Sequence, residues 1–408
     1  MLRNLIFLFG FFIVLGSCKQ ETQKKVTIRE DVAFLASDSL QGRETGTAYE
    51  MEAAHYLQER MKNIGLLPKG NAGTYFQTFS FKPKTDPHSE VQFVGGDSTI
   101  TGTNVIGFID NKADKTVIIG AHYDHLGMGG EGSLYADGEA IHNGADDNAS
   151  GVAVLLNLAA KLKDTITQHN YLFMAFSGEE MGLLGSNYFS KNPTIDLSKA
   201  NYMLNMDMVG RMREDKTLSI SGTGTTPIWG QVLNSNNPGF KLVLSESGMG
   251  PSDHTSFYLQ DIPVLHFFTG QHEDYHKPSD DSDKLNYKGM EMISDYILSV
   301  LYDLDDDDKL AFRKTKNESE DTPRFKVALG VMPDYLYDGK GMRIDGVSDG
   351  KPAAAAGLQK GDVVVKLGDS TVVDMMSYMR ALSIFKEGDT TEVTVDRNGE
   401  KINATISF

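Results

Sequence analysis

Two adjacent glutamates, Glu179 and Glu180, follow the apolar run Tyr171–Phe176 and stand among glycines and small residues. Adjacent carboxylates repel, so positive charge must lie close by. Further acidic and imidazole groups occupy comparable places: His122, Asp124 and His125 directly after "TVIIGA", Asp207 after "YMLNM", and His276 shortly after "IPVLHFF". Asp146 and Asp147, in "NGADDNASG", precede an apolar helical pattern that starts near Gly151. Taken singly, most of these have a structural reading. "HYDH" reads as a surface turn, "DDNAS" as a helix N-cap and "GEE" as an acidic first helical turn. Asp207 is less easily dismissed, because an aspartate inside an apolar strand is costly to bury without a partner. Together they fall at successive strand or helix ends, with Glu179 and Glu180 expected where a strand gives way to a helix.

The elements that must position them are legible as well. Short apolar runs at 116–121, 171–176, 202–210 and 262–268 alternate with helical patterns such as "GVAVLLNLAAKLKD". That alternation predicts a mixed, largely parallel central sheet with helices on both faces, an α/β architecture. In open α/β sheets ligands bind beyond the carboxyl ends of the strands, so residues far apart in sequence can converge there. Imidazoles and carboxylates without thiolates suit zinc, and paired-metal hydrolases hold two ions about 3.5–4 Å apart across a shared ligand. Three carboxylates and one hydroxide would neutralise two divalent ions. Glu180 could then bind a cation while Glu179 stays free for another task.

The ordered set "AHYDH", "NGADDNASGVA", "FSGEEMGLLGS", "NMDMVG", "SDHTSF" and "YHKPSD" resembles the double-zinc aminopeptidases of metallopeptidase family twenty-eight, relatives of glutamate carboxypeptidase with the zinc exopeptidase fold. The resemblance covers residues 26–304. It implies one zinc held by His122 and Asp207, a second held by Glu180 and His276, and Asp147, of the 146/147 pair, bridging the two. It further implies that Asp124 fixes the tautomer of His122, that Glu179 is the general base, and that Tyr275 hydrogen-bonds the developing oxyanion. His125, Asp253 and His254 belong to the same motifs in supporting roles. The implied reaction is hydrolysis of N-terminal residues from peptides. Two rivals are a single-zinc enzyme like glutaminyl cyclase and a non-catalytic envelope binding protein on a peptidase scaffold.

Residues 305–323, "DDDDKLAFRKTKNESEDTP" after Leu304, form an acidic segment expected to link two domains. From 324 to 408, short strand-like runs surround "GVSDGKPAAAAGLQKGDVVVKLG", which resembles the core of a PDZ domain of the bacterial protease type. By that resemblance the N–H groups of Leu329, Gly330 and Val331 would hold a peptide C-terminus. At the other end, residues 1–17 read as a signal peptide. Leu15–Cys18 resembles a lipobox, implying lipid attached to Cys18, a tether over 18–25 and an exported lipoprotein of the bacterial cell envelope. Cys18 is the one cysteine of the chain, which excludes internal disulfides and thiolate metal sites. A net charge of −17 with no cluster of Lys and Arg excludes a nucleic-acid surface.

Overall fold

The computed structural model describes residues 27–83, 92–316 and 327–408, apart from 97, 131, 164, 166, 335, 336, 338 and 349. The expected signal peptide and tether, with Cys18, lie outside the described residues. Among the described residues no helix is long and apolar enough to cross a membrane.

Nine strands make the first sheet: β1 (Leu67–Pro68), β2 (Phe76–Phe81), β3 (Ile100–Ile109), β4 (Lys115–His122), β5 (His169–Phe176), β6 (Ala200–Met206), β7 (Thr217–Ser221), β8 (Lys241–Ser245) and β9 (Val264–Phe268). Their order is β1-β3-β5-β4-β6-β9-β7-β8, with β2 on β3. The central four, β5, β4, β6 and β9, are mutually parallel, while β3 and β7 flank them antiparallel. The sheet is therefore mixed with a parallel centre, as the alternation predicts.

Every residue of β5 and β6 is buried, which explains why these strands read as continuous apolar runs. Period-two alternation still sorts the side chains. Val117, Ile119, Tyr171 and Phe173 enter one core. There they meet α1 (Ile28–Leu35), α2 (Ala48–Ile64), α3 (Gly151–Leu162) and α7 (Tyr287–Asp303). Ile118, Leu172, Met174 and Phe176 enter a second core on the opposite face, with Phe189 of α4 (Leu184–Lys191) and Phe257 of α6 (His254–Tyr258). A further short helix, α5 (Trp229–Ser235), packs Trp229 into the first core.

After α7 the chain does not leave the first domain at once. Asp305 accepts hydrogen bonds from the Gln168 N–H at 2.8 and 3.0 Å. Leu310 N–H donates to Asn201 Oδ1 at 2.7 Å, the Phe312 ring lies 5.5 Å from that of Tyr258, and Thr315 N–H donates to the Tyr258 hydroxyl at 3.0 Å. The first half of the segment expected as a linker is thus a strap laid along the surface of the first domain; 317–323 lie outside the described residues.

The second sheet runs β10 (Val331–Pro333), β11 (Met342–Val347), β12 (Val363–Leu367), β14 (Thr390–Arg397) and β15 (Glu400–Ser407), with β13 (Ser370–Thr371) on β12. All its pairings are antiparallel. Its own small core is closed by α8 (Pro352–Ala355) and α9 (Met375–Leu382).

Candidate metal centre

Because β5, β4, β6 and β9 are parallel neighbours, their carboxyl ends open onto one edge of the sheet. His122 is the last residue of β4, Asp207 follows β6 directly, and Glu179 and Glu180 follow β5 after Ser177 and Gly178. The glutamates sit between the end of β5 and the start of α4, where the sequence places them, but short of the helix's first turn. Gly178 takes a left-handed φ of 72°, Gly182 N–H and Leu183 N–H both return to the Glu179 carbonyl, and α4 starts only at Leu184. A single turn closed by left-handed residues, rather than a continuing helix, can aim the two carboxylates in different directions. Asp146 and Asp147 lie in the turn that enters α3, packed against the end of β6. A Cβ on Gly151 would come within 2.5 Å of the Met206 carbonyl, so only glycine permits that approach.

Asp147 is the hinge of the arrangement. Its Oδ1 lies 3.2 Å from His122 Nε2, and its Oδ2 lies 3.2 Å from His276 Nε2. His122 Nε2 is also 3.4 Å from Asp207 Oδ1, and His276 Nε2 is 3.3 Å from Glu180 Oε2. Two donor atoms each ~2.0–2.1 Å from one tetrahedral zinc lie roughly 3.3–3.4 Å apart. Charge-assisted hydrogen bonds between such groups close to about 2.7–2.9 Å. The four separations match a cation cage better than direct ion pairs. His125 is different: its Nδ1 sits 2.7 Å from Glu180 Oε1, a direct hydrogen bond. Although His125, Asp147 and Glu180 also present donor atoms within 4.8 Å of one another, the short contact marks His125 as a partner of Glu180, and His276 as the nearer counterpart of His122.

The electrostatics follow from crowding acids in a dry place. Burial alone would raise Asp147, yet hydrogen bonds with His122 and His276 hold it well below the usual carboxylate range. Glu180 falls to about 2, where burial and the Asp147 charge are overcome by His276 and His125. Burial would lower the imidazoles, but the surrounding carboxylates lift His122 well above its ordinary value and His276 to about 11. Glu179 goes the other way. Burial raises it well above the normal range, and Asp207, Glu180 and Asp253 add to the shift against the pull of His122. Its Oε2 is 4.0 Å from His122 Nε2, at the edge of the cage.

Supporting groups lock this geometry. Asp124 accepts the Glu179 N–H at 3.1 Å and a hydrogen bond from Thr45 at 3.1 Å. His122 Nδ1 is 3.2 Å from the Asp124 carbonyl and 3.6 Å from its carboxylate, so the carbonyl is the nearer acceptor. Tyr275 stacks on His276 with ring centres 3.8 Å apart, and burial with the nearby carboxylates keeps its phenol protonated. His276 Nδ1 is 2.8 Å from the Gly132 carbonyl, and its own carbonyl accepts the Leu134 N–H at 2.9 Å, so the glycine-rich loop 127–140 is stitched to it. Asp253 and His254 lie outside the donor cluster. Asp253 is pushed up to about 7 by burial, and His254 stacks on His266.

Arg43, to which sequence reasoning assigned no role, is fully buried beneath the cage. Its guanidinium donates to the carbonyls of Leu35, Tyr123, Asn143 and Gly144 at 2.5–3.0 Å. It thereby ties the loop after His122 to the loop before Asp146 and gives the carboxylates a fixed positive neighbour. The only sequence signal was a charged residue between the glycines of "QGRETG".

Residues 104–301 match the model of peptidase family M28, and residues 312–408 match that of the PDZ domain. The alkaline phosphatase isozyme conversion protein of Escherichia coli K12 is 31% identical over 185 residues, 45% of this chain and 51% of its own length. Aminopeptidase YwaD of Bacillus subtilis 168 is 27% identical over 217 residues, 50% of this chain and 45% of its own length. The chain thus spans about half the length of the curated relatives it matches. Among solved structures, a zinc aminopeptidase from Bacillus subtilis superposes with a TM-score of 0.54 at 17% identity, covering 70% of this chain and 95% of that one. A glutaminyl cyclase from Bacteroides thetaiotaomicron superposes with 0.55 at 17% identity, covering 68% and 96%. At such identities these two establish a shared fold alone.

Two outcomes are expected. The surrounding carboxylates raise His122 well above its ordinary value and His276 to about 11, so a metal must compete with protons for these imidazoles. Loading with zinc should therefore release protons. Titration calorimetry in buffers of different ionisation enthalpy measures this, and identical heats in all buffers would contradict it. Arg43→Met should weaken metal binding roughly 10–100-fold, the usual effect of removing a group that orients metal ligands. Competition with a chromophoric chelator reads this directly.

Proposed function

Residues 104–301 being a peptidase family M28 domain and residues 312–408 a PDZ domain, we propose that the chain is a zinc-dependent aminopeptidase of the bacterial cell envelope with two co-catalytic ions. The observation that carries this is Asp147, whose two oxygens each face a different imidazole at 3.2 Å. A shared carboxylate of that kind is the signature of a paired-ion site. His122 and Asp207 would hold one zinc, Glu180 and His276 the other, with Asp147 between them. When bound, the ions supply Lewis acidity, making water a nucleophile near neutral pH and polarising the scissile carbonyl.

The chain's own residues do the rest. Glu179, dry and raised, is placed to take a proton from the attacking water and deliver it to the departing amine. Its position is set from behind by the hydrogen bond from its N–H to Asp124. Tyr275, kept protonated, can donate to the oxygen that gains charge as the carbonyl is attacked. Arg43 and Asp124 fix the loops that carry these groups. The PDZ domain would capture peptide C-termini through Leu329, Gly330 and Val331, and the pattern at Leu15–Cys18 supports export and lipid anchoring.

Zinc content measured beside hydrolysis of free and N-blocked peptides tests the reading. Two zincs per chain with cleavage of free-amine peptides only is the expected result. One zinc with cyclisation of N-terminal glutamine would favour a glutaminyl-cyclase-like enzyme, whose fold is shared. Glu179→Gln should keep both metals while turnover falls by about 10²–10⁴. Near-normal turnover in that variant would remove Glu179 from its role.

A further inference from the structure

We infer that the two domains grip a single peptide at its opposite ends, so that the preferred substrates are extended peptides with both a free N-terminus and a free C-terminal carboxylate. This rests on the aminopeptidase reading above and adds to it a direction and a length.

The starting point is β10. It is the outer strand of the second sheet, paired on one side with β11 and open on the other among the described residues. Just before it, the carbonyls of Leu329 and Gly330 are engaged by the N–H groups of Ala353 and Ser348 at 2.8 and 2.9 Å. The N–H groups of Leu329 and Gly330 have no acceptor among the described residues. Gly330 holds this shape with a φ of +76°, pressed so close to Lys351 that a Cβ would meet that side chain at 2.1 Å. Free donors at the start of an open strand suit a carboxylate whose chain continues along the strand. If the peptide ends there and its preceding residues lie beside β10, it must run antiparallel to β10. Its upstream residues then travel toward Asp334, the residue that follows the strand.

Asp334 lies where the first domain makes ion-pair contact with the second. Arg213 reaches Asp334 at 3.6 Å and Asp345 of β11 at 3.4 Å, and Arg343 Nε also binds Asp334 at 2.8 Å. Arg213 is six residues beyond Asp207, and in the same segment Arg211 pairs at 3.0 Å with Asp274, next to Tyr275 and His276. A peptide leaving β10 in the antiparallel sense is therefore directed at the segment that frames the cage, N-terminus first. An aminopeptidase needs that polarity.

The covalent geometry bounds the length. Six residues from Asp207 to Arg213 span at most about 21 Å, and Leu329 to Asp334 about 17 Å. With the side-chain bridge between them, an extended peptide of about 14 residues suffices to reach from the free donors to the cage. A peptide of about five residues, no longer than the Leu329–Asp334 stretch itself, can occupy only one of the two sites. Holding one end raises the effective concentration of the other, lowering KM without changing the chemistry.

The experiment uses the full zinc-loaded chain and two peptides of about 5 and 20 residues with the same N-terminal sequence, each as C-terminal acid and amide. Amidation should raise KM at least tenfold for the longer peptide, leave kcat unchanged, and have no effect on the shorter one. Arg213→Glu, which sets like charges against Asp334 and Asp345, should erase the advantage of the long acid while the short peptide is cleaved as before. Equal KM for the long acid and amide, with the short peptide still cleaved, overturns the two-ended grip and leaves the peptidase reading intact. Failure to cleave any free-amine peptide overturns the peptidase reading, and the inference with it.

Discussion

Gathering Asp147, Glu180 and Asp207 into one dry pocket is the constraint on which the molecule is built. Like charges a few ångströms apart, away from water, repel strongly, because the low dielectric magnifies every interaction. The sheet imposes the convergence: four parallel strands end on one edge, and the acids are carried in the loops that leave them. Something must answer the charge. The imidazoles of His122 and His276 answer part of it, and zinc would answer it more completely. The spacings of 3.2–3.4 Å around His122 and His276 match those between donor atoms that share a zinc ion.

Arg43 shows how the scaffold tolerates this without closing on itself. An arginine paired directly with Asp147 or Glu180 would fill the cage with its own guanidinium. Here the fork is spent on carbonyls, which leaves its charge present and its donors satisfied. Burial lowers it only to about 10, with Asp124 and Asp147 opposing the fall, so it remains a cation at any working pH. The pocket thus has a permanent positive floor and removable positive contents.

Much of this was legible in the sequence because the signals were redundant. Continuous apolar runs marked strands buried on both faces, and most of the acidic and imidazole groups follow such a run within a few residues. What escaped was information that lies in three dimensions. Nothing local tells a glutamate pair in a loop from one in a helix's first turn; the left-handed Gly178 and Leu183 decide it. Arg43 drew no reading because its carbonyl partners are scattered along the chain. His125 and His276 are told apart by their separations from Glu180, 2.7 and 3.3 Å, which no sequence pattern carries. The acidic segment after Asp303 reads as solvated from its aspartates, while Leu310 and Phe312 within it supply the apolar contacts that bind it down.

The attachment of the 127–140 loop to His276 has a kinetic side. Gly132 and Leu134 grasp both the ring and the backbone of that histidine, so the loop cannot swing outward without unlatching a wall of the cage. Admission of a bulky guest and escape of an ion then share one gate, and whatever slows the first lengthens the residence of the second.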